Sequence, residues 1–114
     1  MMARNKYNAQ KTEINGIIFD SKREAERYLE LLALQQAGEI TLLEIHPRFE
    51  LQQAFKDSNG KRQRAITYEA DFEYMDNNYT HTVEDVKGFE TDVFKIKKKI
   101  FMYQYPFIDF RIVR

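Results

Sequence analysis

The clearest pattern in the chain lies between Ile66 and Tyr74. Ile66, Tyr68, Ala70, Phe72 and Tyr74 alternate with Thr67, Glu69, Asp71 and Glu73. A period of two is that of an extended strand with one apolar and one polar face. Asp76-Asn77-Asn78 then supplies a hairpin turn. Tyr79 to Lys87 forms the partner strand, which Gly88 ends.

Two segments carry helical spacing instead. Ser21 and Glu24 make an S-x-x-E capping box. Ala25, Tyr28, Leu29, Leu32 and Gln36 follow at helical intervals, with Ala25, Leu29 and Leu32 facing a core. Gly38 stops this helix, which spans about 21–37. A second helix runs from about Thr91 to Tyr105, with Val93, Ile96, Ile100 and Tyr103 as its buried stripe, and Pro106 ends it.

The remaining elements are strands. Ile17, Ile18 and Phe19 follow the tight-turn signal Asn15-Gly16. Residues 40–55 form a strand bent at Pro47. A turn cluster, Asp57-Ser58-Asn59-Gly60, leads out of it. Phe107, Ile108, Phe110, Ile112 and Val113 make a last apolar strand. The order is strand, helix, three-strand meander, helix, strand. A helix that returns to a strand is a crossover, so the fold is α/β, with a mixed β-sheet flanked by helices.

At 114 residues the chain holds one core. We read a flexible basic arm over residues 1–12 and one domain over 13–114. With no cysteine, thiolate nucleophiles, disulfides and cysteine-bound zinc are excluded. No apolar run approaches the ~20 residues of a membrane helix, and no apolar signal core opens the chain, so we expect a cytoplasmic protein without a membrane partner.

Formal net charge is zero, which by itself counts against nucleic-acid binding. The charges are nonetheless grouped. Arg4, Lys6 and Lys11 load the N-terminus; Lys61, Arg62 and Arg64 form a second group, and Lys95, Lys97, Lys98 and Lys99 a third. Between the last two lies an acidic stretch in which Lys87 is the only basic residue. Carboxylates flanked by cations suit a metal site beside a phosphate track. Ordinary solvated faces account for the grouping equally well.

The hairpin sharpens this. A turn near 76–78 brings Asp71 and Asp85 close to opposition, and Lys87 shares a face with Asp85. Adjacent carboxylates repel, which raises one pKa. A hard divalent cation such as Mg²⁺ relieves that repulsion. Lys87 can then steer a water or offset charge growing on a phosphate, while the metal supplies Lewis acidity. Glu24 can complete the set from the helix, although its capping box accounts for it without chemistry. Lys87 beside Asp85 can equally be a plain salt bridge. Glu84 faces away from Asp85 and reads as structural. His46 and His81 read as satisfied sheet histidines, though His81 shares parity with Asp85. There is no glycine-rich phosphate loop and no local support for a Ser-His-Asp set.

Ser21-Lys22-Arg23-Glu24-Ala25-Glu26, Ala70-Asp71-Phe72 and Val83-Glu84-Asp85-Val86-Lys87-Gly88 resemble the PD-(D/E)xK nuclease superfamily. In closer detail the chain is similar to the phage-associated family DUF 1064, over nearly its whole length. The resemblance implies a restriction-endonuclease-like core. It implies catalytic Glu24, Asp71, Asp85 and Lys87, with Asp71, Asp85 and Glu24 on the metal. Residue 70 is Ala where the superfamily often has Pro. Glu84 stands as the alternative ligand should a bulge shift the strand.

The expected activity is Mg²⁺- or Mn²⁺-dependent endonucleolytic cleavage of DNA. The resemblance implies branched substrates such as Holliday junctions in phage recombination, and a homodimer. Lys95, Lys97, Lys98 and Lys99, with Lys6 and Lys11, would contact the backbone. Two rivals remain. One is a non-catalytic DNA-binding or adaptor protein that keeps the fold. The other is a phage structural or regulatory protein whose acidic face meets another protein.

Overall fold

The computed structural model describes residues 10–114. The chain folds as β1 (Thr12–Ile14), β2 (Ile17–Phe19), α1 (Lys22–Gln36), β3 (Ile40–Ile45) and β4 (Arg48–Gln52). A small excursion follows, β5 (Phe55–Lys56) and β6 (Arg62–Gln63). Then come β7 (Ile66–Glu69), β8 (Phe72–Asp76), β9 (His81–Val86), α2 (Asp92–Gln104) and β10 (Asp109–Val113). The fold is mixed α/β. Its largest sheet has the order β10-β9-β8-β3. β10 runs parallel to β9, and the other pairs are antiparallel. The parallel pair exists because α2 carries the chain back along the sheet.

Residues 1–9 of the expected arm lie outside the described residues. Thr12 already pairs with Phe19 in a hairpin around Asn15-Gly16, so ordered structure enters the expected arm. Arg4 and Lys6 lie outside the described residues. Among the described residues no helix is long and apolar enough to cross a membrane.

The helices begin where their caps predict. Ser21 Oγ accepts the Glu24 N–H at 3.1 Å, and Thr91 Oγ1 accepts the Phe94 N–H at 3.1 Å. Their buried faces differ from expectation. α1 buries Ala25, Tyr28 and Leu31, with Leu32 half-buried, and leaves Leu29 48% exposed. α2 buries Phe94 and Phe101, while Val93, Ile96 and Tyr103 face outward. Each helix carries apolar residues on more than one side, so spacing alone does not choose the buried one.

The long alternating strand is also broken, at Ala70 and Asp71. Tyr68 and Ala70 join a core with Leu51, Val83, Phe94 and Phe101, against α2. Phe72 and Tyr74 join a second core with Phe19, Ala25, Tyr28, Leu31 and Ile40, against α1. One unbroken period-two strand would place all four on the same side. The break redirects the chain, so β7 serves one core and β8 the other. The neighbouring strand bends in step at His46 and Pro47. Two backbone bonds tie the bends together: His46 N–H to Asp71 O at 2.9 Å, and Ala70 N–H to Pro47 O at 3.0 Å. The seam between the two cores is thus built from Asp71 and His46.

Candidate metal centre

Asp71 has lost its regular ladder, and its side chain substitutes for it. The N–H of Val86 donates to Asp71 Oδ2 at 2.6 Å. The backbone N–H of Asp71 donates to Glu84 O at 3.1 Å. Since Phe72 pairs with Glu84, the antiparallel register carries Asp71 alongside Asp85, as the hairpin predicts. The carboxyl of Asp71 is pushed up to about 9, first by burial, then by the charges of Asp85 and Glu24.

Glu24 arrives from the first turn of α1. Its N–H is the one Ser21 caps, while its carboxylate turns inward and is only 4% exposed. Glu24 Oε1 lies 3.0 Å from His46 Nε2. Capping and site placement are therefore compatible in one residue, because they use different atoms.

Asp85 is 2% exposed. Tyr68 donates its hydroxyl to Oδ2. Oδ1 is buried without a hydrogen-bond partner, and Lys87 Nζ stands 3.4 Å from it, an ion pair without hydrogen-bond geometry. Burial raises this carboxyl, opposed by Tyr68 and Lys87. The Lys87 ammonium also sits 4.7 Å from the centre of the Phe94 ring, a cation–π contact.

Glu84 is not a ligand candidate. Fully buried on the α1 side, it receives Arg27 Nε at 2.8 Å, Arg27 Nη2 at 2.7 Å and the Tyr74 hydroxyl. No bulge turns it toward Asp71; β8 and β9 pair in regular register. The expected alternative is corrected in favour of a structural ion pair. That pair also holds the Arg27 guanidinium above its ordinary pKa.

The expected donor set changes as well. Among the described residues, Glu24, His46 and Asp71 each offer a ligand atom, and these atoms lie within 4.8 Å of one another. Asp85 is not in that group, although it neighbours Asp71. His46, read from sequence as an ordinary sheet histidine, is. His81 stands elsewhere, bonded to Glu73 beside Leu42 and Glu44, and does not flank the site.

The DUF1064 family, described as a protein of unknown function, matches residues 4–114. The chain belongs to DUF1064. No curated protein and no solved structure matches it.

The donors of this DUF1064 chain fit a divalent cation. An octahedral ion with bonds of about 2.1 Å needs donors roughly 3.0 Å apart when adjacent and roughly 4.2 Å apart when opposite. The Glu24–His46 separation of 3.0 Å meets the first, and the 4.8 Å limit of the group is within a small side-chain adjustment of the second. Asp85 Oδ1, without a hydrogen bond, and the raised carboxyl of Asp71 are both relieved by added positive charge.

Glu24 and Asp71, but not His46, line a cleft of about 620 Å³ together with Asp20, Lys87, Arg23 and Arg114. The two arginines were not singled out by sequence patterning, because one sits in the capping turn and the other at the chain end. Of the expected backbone-contacting lysines, Lys95 and Lys99 are exposed, Lys97 is half-buried, and Lys98 is paired with Glu90 at 2.8 Å. Lys11 is exposed at the rim, 3.7 Å from Asp20. Lys6 lies outside the described residues.

Proposed function

We propose that this DUF1064 chain is a metal-dependent DNA endonuclease of the PD-(D/E)xK type with a restriction-endonuclease-like core, cutting branched DNA such as Holliday junctions. One observation carries the reading. Asp71, raised by its own burial and by Asp85 and Glu24, shares with the Lys87 ammonium a cleft whose charged lining pairs three carboxylates with three cations. Such an arrangement is unfavourable for a fold that uses it only as structure, and favourable for one that binds a divalent ion against a phosphate.

Each side chain has a task. Glu24 and Asp71 would hold the ion, Mg²⁺ or Mn²⁺, with Asp85 beside them. When bound, the ion supplies Lewis acidity at the scissile phosphate. Lys87 places positive charge where charge grows on the phosphoryl oxygens. Asp85, 3.4 Å away, keeps that ammonium in place. Arg23 and Arg114 line the cleft where a sugar-phosphate strand would pass. Lys95 and Lys99, exposed on α2, would add further backbone contacts. A junction needs two cuts and each site makes one, so the same reading carries a homodimer, working in the cytoplasm of a bacterial host during phage recombination.

The test is a cleavage assay on linear, flapped and four-way DNA with Mg²⁺ or Mn²⁺. The parent chain should cut four-way junctions. Asp71→Ala and Lys87→Ala should fold and lose at least about a hundredfold in rate, the scale of one transition-state electrostatic contact. Full activity in both variants would remove these residues from the mechanism. Metal-independent DNA binding without cleavage would favour an adaptor that keeps the fold.

A further inference from the structure

We propose that His46 is a nitrogen ligand of the metal, so that Glu24, His46 and Asp71 form a mixed nitrogen–oxygen centre preferring Mn²⁺ to Mg²⁺. This rests on the metal site of the proposed function and is independent of whether DNA is cut.

Geometry comes first. A ring nitrogen of His46 belongs to the donor group with Glu24 and Asp71. Its Nε2 hydrogen-bonds Glu24 Oε1 at 3.0 Å, a spacing that also suits two adjacent ligands once an ion takes the place of the shared proton. Backbone conformation comes next. His46 has φ of +54°, in the left-handed region, and it directly precedes Pro47. A residue before proline is ordinarily driven to extended conformations. Holding it left-handed therefore needs support from its surroundings. Two features hold it there: the His46 N–H to Asp71 O bond, and the buried ring of Pro47. The ring is also braced by Phe19, whose centroid is 5.8 Å away. The imidazole is therefore aimed before any ion arrives.

A separate observation points to a cation at this place. Asp85, opposite Asp71 in the hairpin, is 2% exposed, and its Oδ1 has no hydrogen-bond partner and only the Lys87 ammonium, 3.4 Å away, as a counter-charge. A buried carboxylate oxygen without a hydrogen bond is costly, and further positive charge at the neighbouring Asp71 carboxylate would lower that cost.

The donor chemistry decides which ion. Mg²⁺ is hard, dehydrates reluctantly and favours oxygen. Imidazole suits first-row transition ions. Replacing one oxygen by His46 nitrogen disfavours Mg²⁺ and leaves Mn²⁺ well bound.

The experiment uses the full chain with Mn²⁺ or Mg²⁺ alone, without DNA. Titration calorimetry should give Mn²⁺ an affinity at least about tenfold above Mg²⁺. Pulsed electron paramagnetic resonance of the Mn²⁺ complex should show ¹⁴N coupling from imidazole. His46→Asn is the informative variant, because asparagine accepts a left-handed backbone. It should keep its circular dichroism, lose the nitrogen coupling and weaken Mn²⁺ by about tenfold or more. His81→Asn assigns the signal without relying on that variant, since it leaves His46 as the sole imidazole. Coupling that persists there supports the proposal; coupling that disappears overturns it. Bound Mn²⁺ without nitrogen coupling, or no Mn²⁺ binding at millimolar concentration, also overturns it. Nitrogen coupling in a chain that cuts no DNA would keep His46 as ligand and sink the nuclease reading. DNA cleavage with no nitrogen coupling would do the reverse.

Discussion

Asp71 carries an electrostatic burden that the rest of the fold tolerates. Its carboxyl rises from the ordinary 3.8 to about 9, so without a divalent ion the folded protein holds a proton the unfolded chain releases. Stability from that group is full below about pH 4 and is lost as pH rises toward about 9. Urea unfolding in EDTA between roughly pH 5 and pH 9 should show stability falling with pH, and Asp71→Asn should flatten that slope. An unchanged slope would mean that Asp71 ionises normally. Glu84 is the opposite case. Its charge is fully compensated by Arg27 and Tyr74. Arg27→Met leaves that buried charge bare and should cost about 3–5 kcal/mol in urea unfolding, with Mn²⁺ affinity unchanged. At this scale the sequence named Glu24, Asp71, Asp85 and Lys87, and strand parity correctly separated Glu84 from Asp85. It did not single out His46 as a donor. A lone histidine before proline has no local signature of ligation; its ring direction follows from an unusual φ imposed by partners remote in sequence.

Caps made helix boundaries legible, and packing decided which faces were buried. On α2 the spacing of Val93, Ile96, Ile100 and Tyr103 is as helical as that of Phe94 and Phe101. The phenylalanines win because aromatic partners await them. Phe101 stacks against Phe49, Tyr68, Tyr105 and Phe110 with centroids between 4.8 and 5.5 Å. Phe101→Ala should therefore destabilise by about 3–5 kcal/mol. Ile96→Ala, on the 60% exposed face, should change stability by no more than about 0.5 kcal/mol. Equal effects in thermal or urea unfolding would show the helix turned the other way. The same rotation sets which lysines of α2 reach solvent. Lys95→Ala and Lys99→Ala should each lower the salt slope of DNA binding by about one, uniformly across sequences, whereas Lys98→Ala would chiefly release Glu90.

Across the molecule, the strand break at Ala70-Asp71 is the organising event. It divides one alternating segment between two cores and opens the seam where Glu24 from α1 meets the hairpin. A divalent ion bound there should raise the melting temperature, because it binds only the assembled site; at a hundred times its dissociation constant the gain is about 2.7 kcal/mol. Absence of any shift with Mg²⁺ and Mn²⁺ would count against a metal centre. By itself the sequence determined two capped helices, the hairpin that sets Asp71 beside Asp85, and the crossover that makes the sheet mixed; the role of Glu84 it left open. These follow from local spacing, turn chemistry and strand parity, which act over a few residues. Tertiary structure alone decided the buried face of each helix, the division of one strand between two cores, and the recruitment of His46. Those outcomes depend on which distant surfaces meet, and no periodicity along the chain encodes that choice.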